Sequence, residues 1–245
     1  MSGLAIDDAA WASAWRTRAP ADKLLLSLGL VVGALVLPVW PGTVLVGLAA
    51  VALALGPARV PARTFGRAVR VPLAFIAVGA VTAVVEVGSG GLGWAPDAAA
   101  RGAALVGHGL AGSAAVLLLA TTTPMSDLLP ELRRLRVPAA VVEVASVVYR
   151  LLFVLLESLT TIREAQTARM GHSTVARSYR SSGVLAAAVL TRSWDRARRL
   201  QDGLAGRGME TGLRVLPEVL PSSRRFVAAT VAVLGAITAV TLVLA

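Results

Sequence analysis

Long apolar stretches, separated by short polar or glycine-rich connections, constrain this chain more than any other feature. Most of them approach the length of about 20 residues that an α-helix needs to cross a bilayer. Only 16% of the 245 residues are charged, against about a quarter in soluble domains, so lipid is the expected solvent. The sequence therefore predicts an all-α membrane protein. The five predicted transmembrane helices are 24–39, 42–55, 71–87, 102–120 and 226–244.

A sixth apolar stretch, 137–156, is predicted to remain outside the membrane, although it is long enough to cross. It contains Glu143 and Arg150, and twelve arginines against five acids lie further on, in 163–225. If 137–156 does not cross, 23 of the 24 basic residues share one side and only Arg101 lies outside. Basic residues are retained on the cytoplasmic side of membranes. We therefore expect a multi-pass plasma-membrane protein with a cytoplasmic N-terminus and an external C-terminus.

The arginine-rich segment before the last predicted helix then becomes one continuous cytoplasmic domain. Most of its arginines are expected to hold it against the anionic membrane face. The N-terminal segment, which contains Asp7 and Asp8, is expected to be disordered. The predicted organisation is an N-terminal cytoplasmic segment (1–23), four transmembrane helices (24–120), a cytoplasmic domain (121–225) and a fifth transmembrane helix (226–245).

Start and stop signals predict three helices in the cytoplasmic domain. Ser126 is a capping residue ahead of an apolar pair, and Pro138 is compatible with the beginning of a helix. Glycine just past the last turn, with a basic residue inside it, is typical of a helix C-terminus. The predicted helices are 126–136, 138–170 and 184–207, and the last two are followed by Gly171 and Gly208.

The two long predicted helices end alike, each with one arginine between small residues. C-terminal capping alone would account for a single case. Two copies favour a docking device, because small neighbours let a helix tip enter a groove where a guanidinium can bind carboxylates in a bidentate manner. The candidate docking residues are Ala168, Arg169, Met170 and Gly171 in the first tip, and Ala205, Gly206, Arg207 and Gly208 in the second.

On these and other motifs, the chain resembles the T component of energy-coupling-factor (ECF) transporters, in the cobalt and nickel branch (the CbiQ family). The resemblance covers nearly the whole length. One departure is Gly206, where the family usually has Ala or Ser, and it weakens the last turn of the second tip. The matching segments are 20–24, 71–75, 122–129, 135–138, 149–150, 168–171, 191–197 and 206–208.

The resemblance implies a coupling subunit without an active site or cofactor of its own. In that family the two Arg tips end coupling helices, and each tip lies in a groove of one of two cytoplasmic ABC-type ATPase subunits, which hold ATP and Mg. A separate membrane protein, the S component, captures the substrate. The resemblance implies that the apolar faces of 128–156 and 184–200 contact it. Cobalt is the expected substrate, with nickel, biotin or another vitamin as alternatives.

The residues themselves offer little support for catalysis or metal binding. There is no GxxxxGK[ST] phosphate-binding loop, and Lys23 is the only lysine. His108 falls within a predicted transmembrane helix without a histidine or cysteine cluster, which favours a hydrogen-bonded packing residue over a metal ligand. Because ionisable groups in membranes are often functional, His108 and Glu86 remain minor candidates. No nucleic-acid partner is expected.

Two alternatives belong to other functional classes. An intramembrane lipid- or prenyl-modifying enzyme would need clustered acids or a histidine-rich phosphate site, and Asp7-Asp8 is the only adjacent acidic pair. A membrane scaffold without a transport role would have the same helices but no reason for paired Arg tips.

Overall fold

The computed structural model describes residues 5–88, 91–94, 97–206 and 220–244, and it confirms the all-α fold class. Four of the described helices, α4, α5, α7 and α9, are long and apolar enough to cross a membrane by length and composition. The described helices are α1 (Ala5–Ala12), α2 (Pro20–Val36), α3 (Val44–Leu55), α4 (Ala62–Val84), α5 (Ala98–Thr122), α6 (Met125–Arg134), α7 (Ala139–Ala168), α8 (Val175–Ala205) and α9 (Arg224–Leu244). A kinked turn, Val39–Thr43, in which Trp40 has an extended backbone, precedes α3. A short antiparallel hairpin, β1 (Val85–Gly88) and β2 (Gly91–Trp94), separates α4 from α5.

The chain divides into two compact units. We call one the bundle unit, which comprises 4–128 and 218–245, and the other the hairpin unit, which comprises 129–217 together with 1–3. The bundle unit contains α1 to α5 and α9. The hairpin unit contains α7, α8 and most of α6.

Helix α5 packs against α2, α3 and α4 in the bundle unit, and small residues let these helices approach closely. Ala111 and Ala115 of α5 are buried, and Ser27 Oγ of α2 donates a 2.7 Å hydrogen bond to the main-chain oxygen of Ala115. A Cβ atom on Gly107 would lie 2.8 Å from Thr43 Oγ1. These small residues therefore form a packing face of α5.

Apolar side chains also cover the outside of the bundle unit. Leu35 and Val36 of α2 and Val71 of α4 are exposed, and Phe75 of α4 is 81% exposed. A helix that is apolar on both its packed and its outward faces is expected where lipid surrounds the protein. This arrangement supports a multi-pass membrane protein.

Helix boundaries differ from the predictions at several places. Residues 5–12 are not disordered, because they form α1, which buries Ala9 and Ala10. Helix α4 begins at Ala62, nine residues before the predicted span, and ends at Val84, where extended backbone starts. Helix α6 begins at Met125, so Ser126 lies inside the first turn and bonds Asp127 rather than capping. Helix α8 begins at Val175, because Thr174 Oγ1 accepts from the Arg177 amide and caps it.

Helix α7 bears on the prediction that 137–156 stays outside the membrane. Pro138 precedes it and the helix is continuous to Ala168, as expected from the start signal. Its length and hydropathy permit it to cross a bilayer. Glu143, near its start, forms a 3.2 Å ion pair with Arg133 of α6. The placement of 137–156 on the cytoplasmic side stays a prediction.

Candidate partner-docking site

Helices α7 and α8 form an antiparallel hairpin. The first predicted Arg tip lies at its turn, and Ala205 and Gly206, the described residues of the second tip, lie at the other end. Near the turn, Gln166 of α7 donates a 3.0 Å side-chain hydrogen bond to the main-chain oxygen of Ser181 of α8. At the far end, Val147 and Leu151 of α7 line one groove together with Leu200 and Leu204 of α8. With a rise of about 1.5 Å per residue, the 31 residues of α8 span roughly 45 Å.

The first tip is the C-terminal turn of α7, and a methionine occupies the left-handed position in which glycine is usual. The amide of Gly171 donates to the Gln166 oxygen at 2.8 Å, and the amide of Met170 donates to the Thr167 oxygen at 3.0 Å. This pair of bonds is a Schellman motif. Met170 occupies its left-handed position with a φ of 58°. The predicted stop signal was therefore one residue late, since Gly171 follows the left-handed residue.

Gly171 is needed for space rather than for backbone conformation. A Cβ atom there would lie 2.8 Å from Ser181 Oγ and 2.9 Å from the Gln166 main-chain oxygen. Ser181 Oγ also donates a 2.9 Å hydrogen bond to the Gly171 oxygen. Neither Gln166 nor Ser181 was predicted from the sequence, although a small residue beside a helix end is a signal of close approach.

Arg169 and Met170 project from this tip. Arg169 is exposed, and Met170 is 65% exposed. No ion pair of the described residues includes Arg169. An exposed guanidinium at a helix end, on a turn fixed by hydrogen bonds, can bind a carboxylate pair of another protein without reorganising the turn.

The second tip is described only in part. Ala205 is the last residue of α8, and the Gly206 amide donates a 3.0 Å bond to the Asp202 oxygen. Arg207 and Gly208 lie outside the described residues. The docking role of the second tip therefore stays a prediction.

An apolar groove lies beside the end of α8 within the hairpin unit. Its volume is about 450 Å³. Helix α7 also presents an exposed apolar stripe at helical spacing, formed by Val141, Val144, Val148 and Leu152. The stripe and four of the seven groove residues lie on 128–156 and 184–200, the segments that the resemblance assigns to contact with a membrane partner. The groove is lined by Val147, Leu151, Ala197, Leu200, Gln201, Leu204 and Ala205.

The two minor candidates lie in the bundle unit. His108 of α5 is half-buried, and its Nδ1 atom lies 2.6 Å from the main-chain oxygen of Ala34 in α2. Glu86 pairs with Gly93 in the short hairpin, and its side chain lies outside the described part. Among the described residues, no group of three or more His, Cys, Asp or Glu side chains could hold a metal ion.

Comparison with known proteins gives one consistent family. The sequence model of the CbiQ family, described as a cobalt transport protein, matches residues 12–217. The cobalt transport protein CbiQ of Rhodobacter capsulatus is 43% identical over 216 residues, which are 88% of this chain and 88% of that protein. The cobalt transport protein CbiQ of Salmonella typhimurium is 29% identical over 206 residues, 78% of this chain and 90% of that protein.

A further relative is longer than this chain. The putative fused cobalt transport protein CbiMQ of Methanocorpusculum labreanum is 25% identical over 225 residues, which are 87% of this chain and 37% of that protein. The match to the family sequence model spans both compact units and includes the positions of both Arg tips. The chain belongs to the CbiQ family of cobalt transport proteins.

Proposed function

We propose that this chain is the energy-coupling subunit of an ECF-type ABC transporter for cobalt uptake. It joins two cytoplasmic ATPase subunits to a separate substrate-capture protein in the membrane. The observation that carries the proposal is the exposed Arg169 at the hydrogen-bonded end of α7 in a member of the CbiQ family. Nickel or a vitamin is the alternative cargo.

Each of the two tips docks on a different ATPase subunit. Arg169 docks on one subunit and Arg207 on the other, because α8, which is roughly 45 Å long, lies between the two motifs in the chain. Each guanidinium binds carboxylates in a bidentate manner. ATP and Mg belong to the ATPase subunits. Their closing and opening moves the two coupling helices relative to each other, and this movement is the chain's energy input.

The membrane partner completes the transporter. The fused relative, in which the matched segment forms 37% of a longer protein, supports a second membrane component that acts together with this one. We assign the α7 stripe and the groove beside α8 to contact with that component, since both are apolar and exposed. The ATPase side is the cytoplasm, with the N-terminus inside and the C-terminus outside.

Purification of the tagged chain in mild detergent, followed by mass spectrometry of its partners, tests the proposal. Two ATPase chains and a small membrane protein are the expected partners, and ATP-dependent uptake of radioactive cobalt by proteoliposomes is the expected activity. Recovery of the chain alone, with a lipid-modifying activity, would instead support the enzyme alternative.

A charge-reversal pair tests the docking residues. The double variant R169E/R207E should lose the ATPase subunits while the protein still inserts in the membrane. The matched control is R163E/R192E, which makes the same charge change at two exposed arginines of α7 and α8 away from the tips. Retention of both the ATPases and cobalt uptake in R169E/R207E would show that the tips do not dock.

A further inference from the structure

The chain passes from one unit to the other at two places, and a described segment near each of them is hydrogen-bonded to the first turn of α2. The first passage is at 128/129, just after α6 begins, and the second is at 217/218, just before α9. Asp22 and Lys23 are adjacent residues in the first turn of α2. Each holds the part of the bundle unit that leads to one of these passages.

Lys23 is hydrogen-bonded to the segment that precedes the first passage. Its Nζ atom donates to the main-chain oxygen of Thr122, the last residue of α5, at 3.1 Å, and to that of Trp15 at 3.3 Å. Arg16, next to Trp15, forms an ion pair with Asp127 of α6. The end of α5 and the start of α6 are therefore both tied to the segment that leads into α2.

Asp22 is hydrogen-bonded to the segment that follows the second passage. Its carboxylate accepts a 2.6 Å hydrogen bond from Ser222 Oγ and a 2.8 Å hydrogen bond from the Ser223 main-chain amide. Ser223 immediately precedes α9, and its oxygen accepts from the Val227 amide in the first turn of that helix. The carboxylate thus continues the hydrogen bonding of α9 beyond its N-terminus.

Both charged side chains are almost completely buried. Asp22 is 4% exposed and Lys23 is 2% exposed, the lowest exposures of any charged side chains in the described residues. A buried charge is strongly unfavourable unless its hydrogen bonds are made, so neither side chain can leave its partners freely. Aromatic packing reinforces the second passage, because Trp15 contacts Phe226 of α9 edge-on at 5.1 Å between ring centres.

We propose that Asp22 and Lys23 are positioning residues that form one anchor for both passages. The anchor makes the end of α5 and the start of α9 move with α2, so that a displacement of the hairpin unit is transmitted to the membrane helices instead of being absorbed in the connections. This inference rests on the proposed coupling function, since it assigns the place where the coupling movement enters the bundle unit.

The anchor itself is tested on the chain alone, in phospholipid nanodiscs, by amide hydrogen exchange. The variants D22A and S222A should each accelerate exchange at the amides of 223–227 by about tenfold, because removal of a bond to a charged group opens this segment. S223A is the matched control, since Ser223 contributes only its main-chain amide to Asp22. K23M should accelerate exchange at 121–128 instead. Unchanged exchange in D22A, S222A and K23M would overturn the anchor.

Coupling is tested in the complete transporter, in proteoliposomes with cobalt as the probe. D22A and K23M should retain the ATPase subunits and their hydrolysis but lower cobalt uptake per ATP by about tenfold, within the range of typical coupling factors. S223A should match the unaltered chain. An unchanged ratio of uptake to hydrolysis in D22A and K23M would overturn the transmission role. Failure of the unaltered chain to bind ATPases would instead refute the proposed function, while the exchange measurements still decide the anchor.

A reversible cross-link separates anchoring from a general folding defect. The chain has no cysteine, so D22C/S222C places a single thiol pair where two side chains are in contact. Oxidation should restore coupled uptake to near the unaltered level, and reduction with a thiol should lower it to the D22A level. A protein that forms the disulfide but remains as uncoupled as D22A would contradict the anchor.

Discussion

The Nδ1 atom of His108 lies 2.6 Å from the main-chain oxygen of Ala34, which is a carbonyl that its own helix leaves without a partner. In an α-helix this oxygen would accept from the residue four positions on. That residue is Pro38, which has no N–H. Because a carbonyl oxygen can only accept, His108 must carry its proton on Nδ1. The histidine therefore completes the end of α2, and this contact supports the packing interpretation over a metal ligand.

Substitution of His108 should distinguish this role from chemistry at the other ring nitrogen. H108N places an amide nitrogen where Nδ1 lies, so it should retain most of the stability, whereas H108L should lower the free energy of unfolding by about 1–3 kcal/mol. H108Q places its nitrogen near the Nε2 position and should resemble H108L. Unfolding by denaturing detergent in mixed micelles measures the differences. Better retention of stability or uptake by H108Q than by H108N would assign the function to Nε2.

The space around Gly171 makes a second prediction about the first tip. G171A should distort the turn between α7 and α8, because the added Cβ atom would meet the Gln166 main-chain oxygen as well as Ser181 Oγ. We expect a loss of about 1–3 kcal/mol of stability. Faster amide exchange at 169–174 and weaker copurification of ATPase subunits should accompany it.

The matched control for this substitution is G183A, in α8. Nothing lies within 4 Å of the corresponding Cβ atom, so alanine should stabilise that helix by about 1 kcal/mol. If G171A and G183A behaved alike, the close approach at the tip would have no energetic consequence.

Local chemical signals explain which parts of the fold could be predicted. Pro138 was sufficient to predict the start of α7, because a proline at the beginning of a helix loses no hydrogen bond. The start of α8 was missed because 175–183 is polar and looks like a connection, while the Thr174 cap that makes it helical is a weak signal. Helix α1 was missed because eight residues are too few for a stable isolated helix, and packing against the bundle decides its structure.

The features that could not be predicted from the sequence depend mainly on contacts between segments that are distant in the chain. The free carbonyl of Ala34 could be deduced from Pro38, but its pairing with His108 depends on how α2 and α5 align. The bonds of Asp22 to Ser222 and Ser223 join residues about 200 positions apart, and no local pattern specifies them. The Arg tips are local motifs and could be located in the sequence. The sequence could not show that Met170, and not Gly171, adopts the left-handed conformation.

The last prediction follows from the left-handed conformation of Met170. A residue with a side chain is strained there by about 1–2 kcal/mol, and glycine is not. Met170 is largely exposed, so its replacement removes little packing. M170G should therefore stabilise the hairpin by about 1 kcal/mol, measured as slower amide exchange at 166–174, while M170V should destabilise it. A165G, one turn earlier in regular helix, is the control and should be destabilising by about 1 kcal/mol.

If M170G is as stable as expected but binds the ATPases less well, the methionine side chain itself contacts the partner, and the strain is retained for docking. If M170G and A165G destabilise equally, the left-handed geometry at the tip is wrong.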